Sequence, residues 1–348
     1  MLVYVDHGHF QYNCVAMGLL LLSIGLFFRG RTYLSAVMFT LSFLFKQTFA
    51  YFAPVFLAIM LGEAIQLGGL IRTVQRVTFL AVVVLVTIAS MLYPFMHHCD
   101  SFECMSHQLL GIFRRIFPLH RSIFEDYVAN FWIVVSPVFH LRGAGEDKML
   151  VCGYTSLVFT IGGFIECCWT VLRKPAPRVL PLALACTSLS FYLFTWMVHE
   201  KGIALPVTSL ICAVPLLLNS GDMWVLTRFY EAAFLSLWHL IRIEGAETSA
   251  AGIGGIGLMA LYLLGNGRSY SVANSRFFLD HVACTLNFIA LFFAVMQSLI
   301  PGPTKYPHLW VLGTCVANFG TFVIVWRQLV RLVEQTVYAP VLATKKIA

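Results

Sequence analysis

Val77-Thr78-Phe79-Leu80-Ala81-Val82-Val83-Val84-Leu85-Val86-Thr87-Ile88-Ala89-Ser90-Met91-Leu92-Tyr93-Pro94-Phe95-Met96 contains no charged residue. A helix of about 20 apolar residues crosses the hydrocarbon core of a bilayer, and this stretch is long enough. Five more segments read the same way: Met149–Leu172, Val179–Val198, Gly202–Leu218, Leu279–Ile300 and His308–Trp326. Asn13–Phe28, Tyr33–Phe45, Phe49–Gly62, Met223–Ile241 and Ala250–Leu264 are shorter or more interrupted. The expectation is an all-α, polytopic transmembrane protein of about eleven spans, with Phe131–Leu141 as a half-embedded piece. Residues 1–348 read as one domain, with a polar loop at 97–130.

Composition agrees. Hydrophobic residues make up 59% of the chain and charged residues 11%, whereas soluble domains carry about 25% charged residues. The aromatic share of 14% suits lipid-facing helices and interfacial belts. The net charge of +7 forms no basic stripe interleaved with aromatics, so nucleic acid is not an expected partner. Cys152, Cys167, Cys168, Cys186, Cys212, Cys284 and Cys315 lie in apolar runs and act as small hydrophobes. No Cys-x-x-Cys pair occurs, which argues against a zinc ribbon or a redox motif. Cys99 and Cys104 share a hydrophilic loop, where a disulfide would require an oxidising lumen. Met1–Val5 lacks both the basic and the apolar segments of a cleavable signal peptide.

Basic residues orient the spans. Arg29 and Arg31, Arg72 and Arg76, Arg173 with Lys174 and Arg178, Arg268 and Arg276, and Arg327, Arg331, Lys345 and Lys346 all fall on one side of the span pattern. That side reads as cytosolic. The terminal Lys345-Lys346-Ile347-Ala348 resembles the dilysine signal for retrieval to the endoplasmic reticulum. Its plainer reading is a solvated basic tail.

The opposite side collects four polar islands. They are Asp6-His7-Gly8-His9-Phe10-Gln11-Tyr12-Asn13, Lys46-Gln47, the loop His97–Asn130, and Val198-His199-Glu200-Lys201. Ionisable groups at membrane depth are costly and point to function. Any one island could instead cap a helix end in the headgroup region, and Lys46 could snorkel. Four on one side argue for a shared site. Familiar soluble motifs are missing: no second His follows His199-Glu200 as a zincin needs, and no phosphate-binding Gly loop occurs. His7 and His9 face apart on a helix, so no metal or cofactor is expected. Gly252, Gly254, Gly255 and Gly257 read as a helix-packing surface. Lys46, Arg114, Arg115, Arg121, His199 and Lys201 suit a departing phosphate. Asp6, Gln11, Glu125, Asp126 and Asn130 suit sugar hydroxyls, and Tyr12 and Trp132 offer flat faces to a sugar ring.

These islands resemble a known family. The first is similar to the Asp-His/Tyr-Gly-His-Phe-Gln-Tyr-Asn signature of the α-1,3-glucosyltransferases of the endoplasmic reticulum that use dolichyl phosphate glucose. Phe45-Lys46-Gln47, Arg114–Pro118, Phe124–Trp132 and Val198–Lys201 match further blocks in order. The likeness covers essentially the whole chain. Phe124-Glu125-Asp126-Tyr127-Val128-Ala129-Asn130 and Lys46-Gln47 look like the branch adding the first glucose, rather than the second, to the dolichol-linked high-mannose oligosaccharide.

The resemblance implies a GT-C type fold and an inverting, metal-independent transfer. Dolichyl phosphate glucose is the implied donor and the dolichyl-pyrophosphate-linked oligosaccharide the implied acceptor, in a multi-pass membrane protein of the endoplasmic reticulum. Its polar site would face the lumen and its C-terminus the cytosol. Asp6, His7, His9, Gln11, Tyr12, Lys46, Gln47, Arg114, Arg115, Glu125, Asp126, Asn130, Trp132, His199, Glu200 and Lys201 become the implied substrate-binding residues. The catalytic base is implied to be an Asp of an Asp-Tyr-Pro-Pro type stretch in the first lumenal loop, and no such stretch occurs in this sequence. Met1–Val5 is too short to span, so the first helices and that loop are expected to be missing and the chain alone inactive. Lys46-Gln47-Thr48-Phe49 also departs from the branch's usual Lys-Gln-Met-Glu. A transporter or a non-catalytic relic are the readings of other classes. A transporter would place its polar groups at mid-span, whereas the islands here sit at one face.

Overall fold

The computed structural model describes residues 13–116, 127–141, 145–196, 198–266 and 274–338. Among them every regular element is helical. α1 (Asn13–Phe28) and α2 (Thr32–Phe45) form a hairpin that turns at Gly30, where φ is +71°. Its interface is hydrogen-bonded: Ser23 Oγ donates to Ser35 O (2.8 Å), Ser35 Oγ to Ser23 O (2.9 Å) and Ser42 Oγ to Ala16 O (2.7 Å). Lipid is as apolar as leucine, so small hydroxyl residues and close packing hold membrane helices together. A 3-10 turn, Gln47–Phe52, runs into α3 (Ala53–Gln66), followed by α4 (Leu70–Met96) and α5 (Phe102–Ile116). Next come α6 (Phe131–Phe139), α7 (Glu146–Arg173) and α8 (Leu180–Phe194).

A second 3-10 turn, Glu200–Ile203, opens α9 (Ala204–Cys212), which meets α10 (Val214–Ser220) at a 60° bend. Pro215 has no N–H for the carbonyl of Ile211, so the helix cannot run straight through. α11 (Met223–Ser236), α12 (Trp238–Ile243), α13 (Glu247–Asn266), α14 (Asn274–Leu299) and α15 (Leu309–Tyr338) complete the chain.

All eleven predicted apolar segments are helical, but they differ in length. Among the described residues seven helices are long and apolar enough to span, or eight if the bent α9–α10 pair is one span. The chain is a polytopic membrane protein. α1 and α2, at 16 and 14 residues, are short for a span, and Met223–Ile241 is divided between α11 and α12. α6 has nine residues and cannot cross. Val179–Val198 stops as a helix at Phe194, while His308–Trp326 continues to Tyr338.

α8 is the centre. It is apolar on every side and buried along nearly its whole length, as a helix surrounded by others must be. α7, α9 and α15 pack around it. α4 and α13 lie outermost and leave Leu85, Val86, Ile256 and Leu263 at least 60% exposed; these faces meet lipid. Gly254 and Gly257 of α13 let Phe234 and Tyr230 of α11 approach, so this part of the predicted glycine surface does pack.

Contacts tie the helix ends together at both ends of the bundle. At one end Arg76 lies over the Tyr33 ring (4.3 Å), Lys174 over the Tyr338 ring (4.1 Å), and Arg276 pairs with buried Asp222 (3.3 Å). At the other, the Trp238 indole donates to Ser298 Oγ (3.0 Å) and Tyr127 sits against His239 and His308. Cys99 and Cys104 are joined by a disulfide between α4 and α5. One expectation needs correcting, that polar groups gather only at one face. Inside the bundle Arg228 of α11 binds Asp280 of α14 (2.7 Å) and Glu231 (3.1 Å), and Asn287 joins Glu231 to Thr321. The sequence hides this network because Arg228 and Asp280 lie 52 residues apart.

Gly62 of α3 is the tightest helix crossing against backbone. A Cβ there would stand 2.5 Å from Leu172 O on α7, whereas one at Gly18 of α1 meets nothing within 4 Å. Gly62→Ala is expected to lower stability by about 1–3 kcal/mol. Gly18→Ala should leave it level or raise it by up to about 1 kcal/mol. Melting of the two purified variants in detergent checks this, and equal melting temperatures would contradict the α3–α7 contact.

Candidate functional site

Two helix interruptions face each other at the end that holds Lys46-Gln47 and Val198–Lys201. α2 ends at Lys46, whose backbone is extended (φ −146°, ψ 116°), before the turn Gln47–Phe52. α8 ends at Phe194, Thr195 is extended, and the chain re-enters a helix only at Glu200. The Tyr51 ring stacks on Phe191 at 4.5 Å and 6°, which sets one interruption against the other. Between them lies a cavity of about 390 Å³. Asn13, Lys46, Gln47, Thr48, Tyr51, His199, Glu200 and Lys201 contribute its polar lining.

The structure therefore joins the Lys46-Gln47 and Val198–Lys201 islands, with Asn13 from the end of the first. His199 and Gln47 are open to solvent, Lys46 and Lys201 are half-buried, and Glu200 is 7% exposed. Among the described lining residues two ammonium groups stand against one carboxylate, a cationic surplus that favours an anionic ligand such as a phosphate. Among the described residues no cluster of three or more His, Cys, Asp or Glu could hold a metal ion.

The Tyr127–Trp132 part of the third island supports this cavity from behind. Asn130 is 4% exposed and its side chain accepts from Ile133 N (3.2 Å), capping α6. Trp132 is 3% exposed, and its indole donates to Phe194 O (2.8 Å). Ser156 Oγ donates to the same carbonyl (3.0 Å) and accepts from Trp196 N (3.0 Å). Phe194 is the last residue of α8, so these bonds fix where α8 stops and how the chain leaves it towards His199. The expected open Trp132 face is instead packed among Phe131, Leu141 and Cys152. Arg114 and Arg115 close α5, a helix with no buried residue, and line none of the cavities described here.

Asp6, His7, His9, Gln11, Tyr12, Arg121, Glu125, Asp126, Lys345 and Lys346 lie outside the described residues. The sequence reading missed Thr48 and Tyr51, which look like ordinary apolar-run residues until the turn after Lys46 exposes them to the cavity. It also missed His140 and His308, which end a short helix and begin a long one on the same side.

Known proteins resemble this chain over most of its length. A profile of the ALG6, ALG8 glycosyltransferase family matches residues 1–328. The dolichyl pyrophosphate Man9GlcNAc2 alpha-1,3-glucosyltransferase of Saccharomyces cerevisiae is 32% identical over 353 residues, covering 93% of this chain and 62% of the relative. Proteins named as probable enzymes of the same kind are 31% identical in Schizosaccharomyces pombe (93% of this chain, 61% of the relative) and 30% in Drosophila melanogaster (91% and 63%). The chain spans about three fifths of the length of these relatives.

Asn130 and Trp132 should behave as positioning residues. Trp132→Phe is expected to cost about 0.5–1.5 kcal/mol through the lost hydrogen bond, and Asn130→Ala about 1 kcal/mol through the lost cap. Chemical denaturation measures the loss. Loss of phosphate-ligand affinity by either variant at unchanged stability would instead make it a ligand contact.

Proposed function

The chain belongs to the ALG6, ALG8 glycosyltransferase family, and from that premise we propose that it serves glucose transfer to a lipid-linked oligosaccharide. The donor is dolichyl phosphate glucose and the acceptor the dolichyl-pyrophosphate-linked high-mannose oligosaccharide; the new bond is α-1,3 and the glucose is the first. The names of the relatives support this branch, as do Lys46-Gln47 and Tyr127-Val128-Ala129-Asn130. The observation that carries the reading is the cationic cavity shared by Lys46, His199 and Lys201.

The chemistry follows from charge. In an inverting transfer a mannose hydroxyl attacks the anomeric carbon as dolichyl phosphate leaves from the opposite side. The departing oxygen gains negative charge, and cations held in place before the reaction stabilise it most. Lys46 and Lys201 supply that charge, and His199 adds hydrogen-bonding capacity. Gln47 and Asn13 offer amides to sugar hydroxyls. Deprotonation of the attacking hydroxyl needs a general base. Family resemblance assigns it to an Asp-Tyr-Pro-Pro type stretch that residues 1–348 do not contain, so these residues bind and orient while the base is unassigned. No metal enters this scheme.

The same reading puts the protein in the endoplasmic-reticulum membrane as a GT-C type fold of about eleven spans. The cavity faces the lumen and the C-terminus the cytosol, where Lys345 and Lys346 would act in retrieval. The Cys99–Cys104 disulfide supports the lumenal side, since disulfides persist in oxidising compartments.

Lys46→Ala, His199→Ala and Lys201→Ala are each expected to weaken binding of dolichyl phosphate glucose by the 348-residue protein roughly tenfold or more. Titration in nanodiscs measures it, and three variants as tight as the parent would end this assignment. In cells lacking their own enzyme the 348-residue chain is expected to yield no glucosylated lipid-linked oligosaccharide. Detecting that product would overturn the expected inactivity.

A further inference from the structure

A second cavity of about 290 Å³ opens at the same end of the bundle. Tyr127, Ser136, His140 and His308 supply its polar and aromatic lining, with Ile133, Pro137 and Leu312 behind them. We propose that it is a binding site for one neutral hexopyranose ring, the acceptor glycan's mannose in the first instance. This rests on the function proposed above.

The chemistry of the lining selects the ligand. Among the described residues no carboxylate, ammonium or guanidinium group lines the cavity, so these residues offer an anion no fixed charge. An aromatic ring, two imidazoles and a hydroxyl suit a ring with one apolar face and several hydroxyls, each able to donate and accept. A donor glucose stands one bond from its phosphate and belongs in the cationic cavity. A sugar far along a glycan from its own lipid phosphate suits a wall without cations. The two cavities share no lining residue. Tyr127, on the wall of this second cavity, is tied to α15 by Cys315, whose Sγ donates to Tyr127 O (3.3 Å).

His140 gives independent support. Among the described residues it is the one non-glycine with positive φ, at φ 50° and ψ 51°, closing α6. A left-handed residue ends many helices, but glycine takes that conformation most easily and asparagine next. A histidine there carries backbone strain, and strain of this kind concentrates at binding sites. Its side chain lines the cavity, which is the use glycine could not serve. Tyr127 is held in place by His239 on one side (ring centres 4.9 Å apart) and His308 on the other (5.5 Å).

Two variants test the proposal in the 348-residue protein in nanodiscs, titrated with a free high-mannose oligosaccharide and followed by saturation-transfer NMR. His308→Ala and His140→Gly are each expected to bind it about tenfold more weakly, with affinity for dolichyl phosphate glucose unchanged. His140→Gly should melt no lower than the parent, because glycine relaxes the left-handed position, so weaker binding there is not misfolding. If both variants bind the oligosaccharide like the parent, the site is wrong. A parent that binds the donor but no oligosaccharide also overturns it, while leaving the cationic cavity standing. A parent that binds neither overturns both. If the variants lose the donor instead, the ring held here is the donor's glucose.

Discussion

No water is available in a bilayer to satisfy a broken helix, so each interruption must bring its own hydrogen-bond partners or sit at an edge. This constraint organises the molecule. The breaks after Lys46 and after Phe194 both fall at one end; Lys46, where α2 stops, and Val198–Lys201, where the chain re-enters a helix after α8, line the cavity. Phe194 O receives both the Trp132 indole and the Ser156 hydroxyl, so the end of α8 is a fixed point rather than a frayed one. The polar end follows from where the chain can afford to stop being helical.

The sequence is easiest to read where charge interrupts hydrocarbon. Lys46-Gln47 and His199-Glu200-Lys201 stand out among apolar runs, and the structure brings them to one cavity. Asn130 and Trp132 stand out equally, yet one caps a helix and the other is buried. Burial is a tertiary property; a tryptophan flanked by phenylalanine and isoleucine reads the same whether its face is open or packed. His140 escaped notice for a related reason, because its backbone conformation, not its neighbours in sequence, marks it. Every apolar segment was legible as helix, but α5 was not, since its residues read as part of a polar loop; Pro215 bends α9–α10 and the α11–α12 break divides a segment that hydropathy alone reads as continuous.

The two cavities differ in charge in a way that divides labour. Among the described lining residues, one has fixed cations and suits a phosphate; the other has none and suits hydroxyls. A reaction joining a phosphate-bound sugar to a glycan needs both kinds of surface, and it needs them as separate neighbours so that the anion is not drawn to the sugar site. The Arg228–Asp280–Glu231 network lies elsewhere in the bundle and ties α11 to α14.

The serine bonds between α1 and α2 have a thermal consequence. Hydrophobic burial weakens on cooling, but helices already in lipid do not depend on it to associate. Ser23, Ser35 and Ser42 hold the hairpin by hydrogen bonds to backbone carbonyls, an interaction that does not fade as water chills. The hairpin ends at Asn13 and Lys46, both on the cavity wall. This part of the cavity wall therefore does not rely on hydrophobic burial to keep its shape as temperature falls.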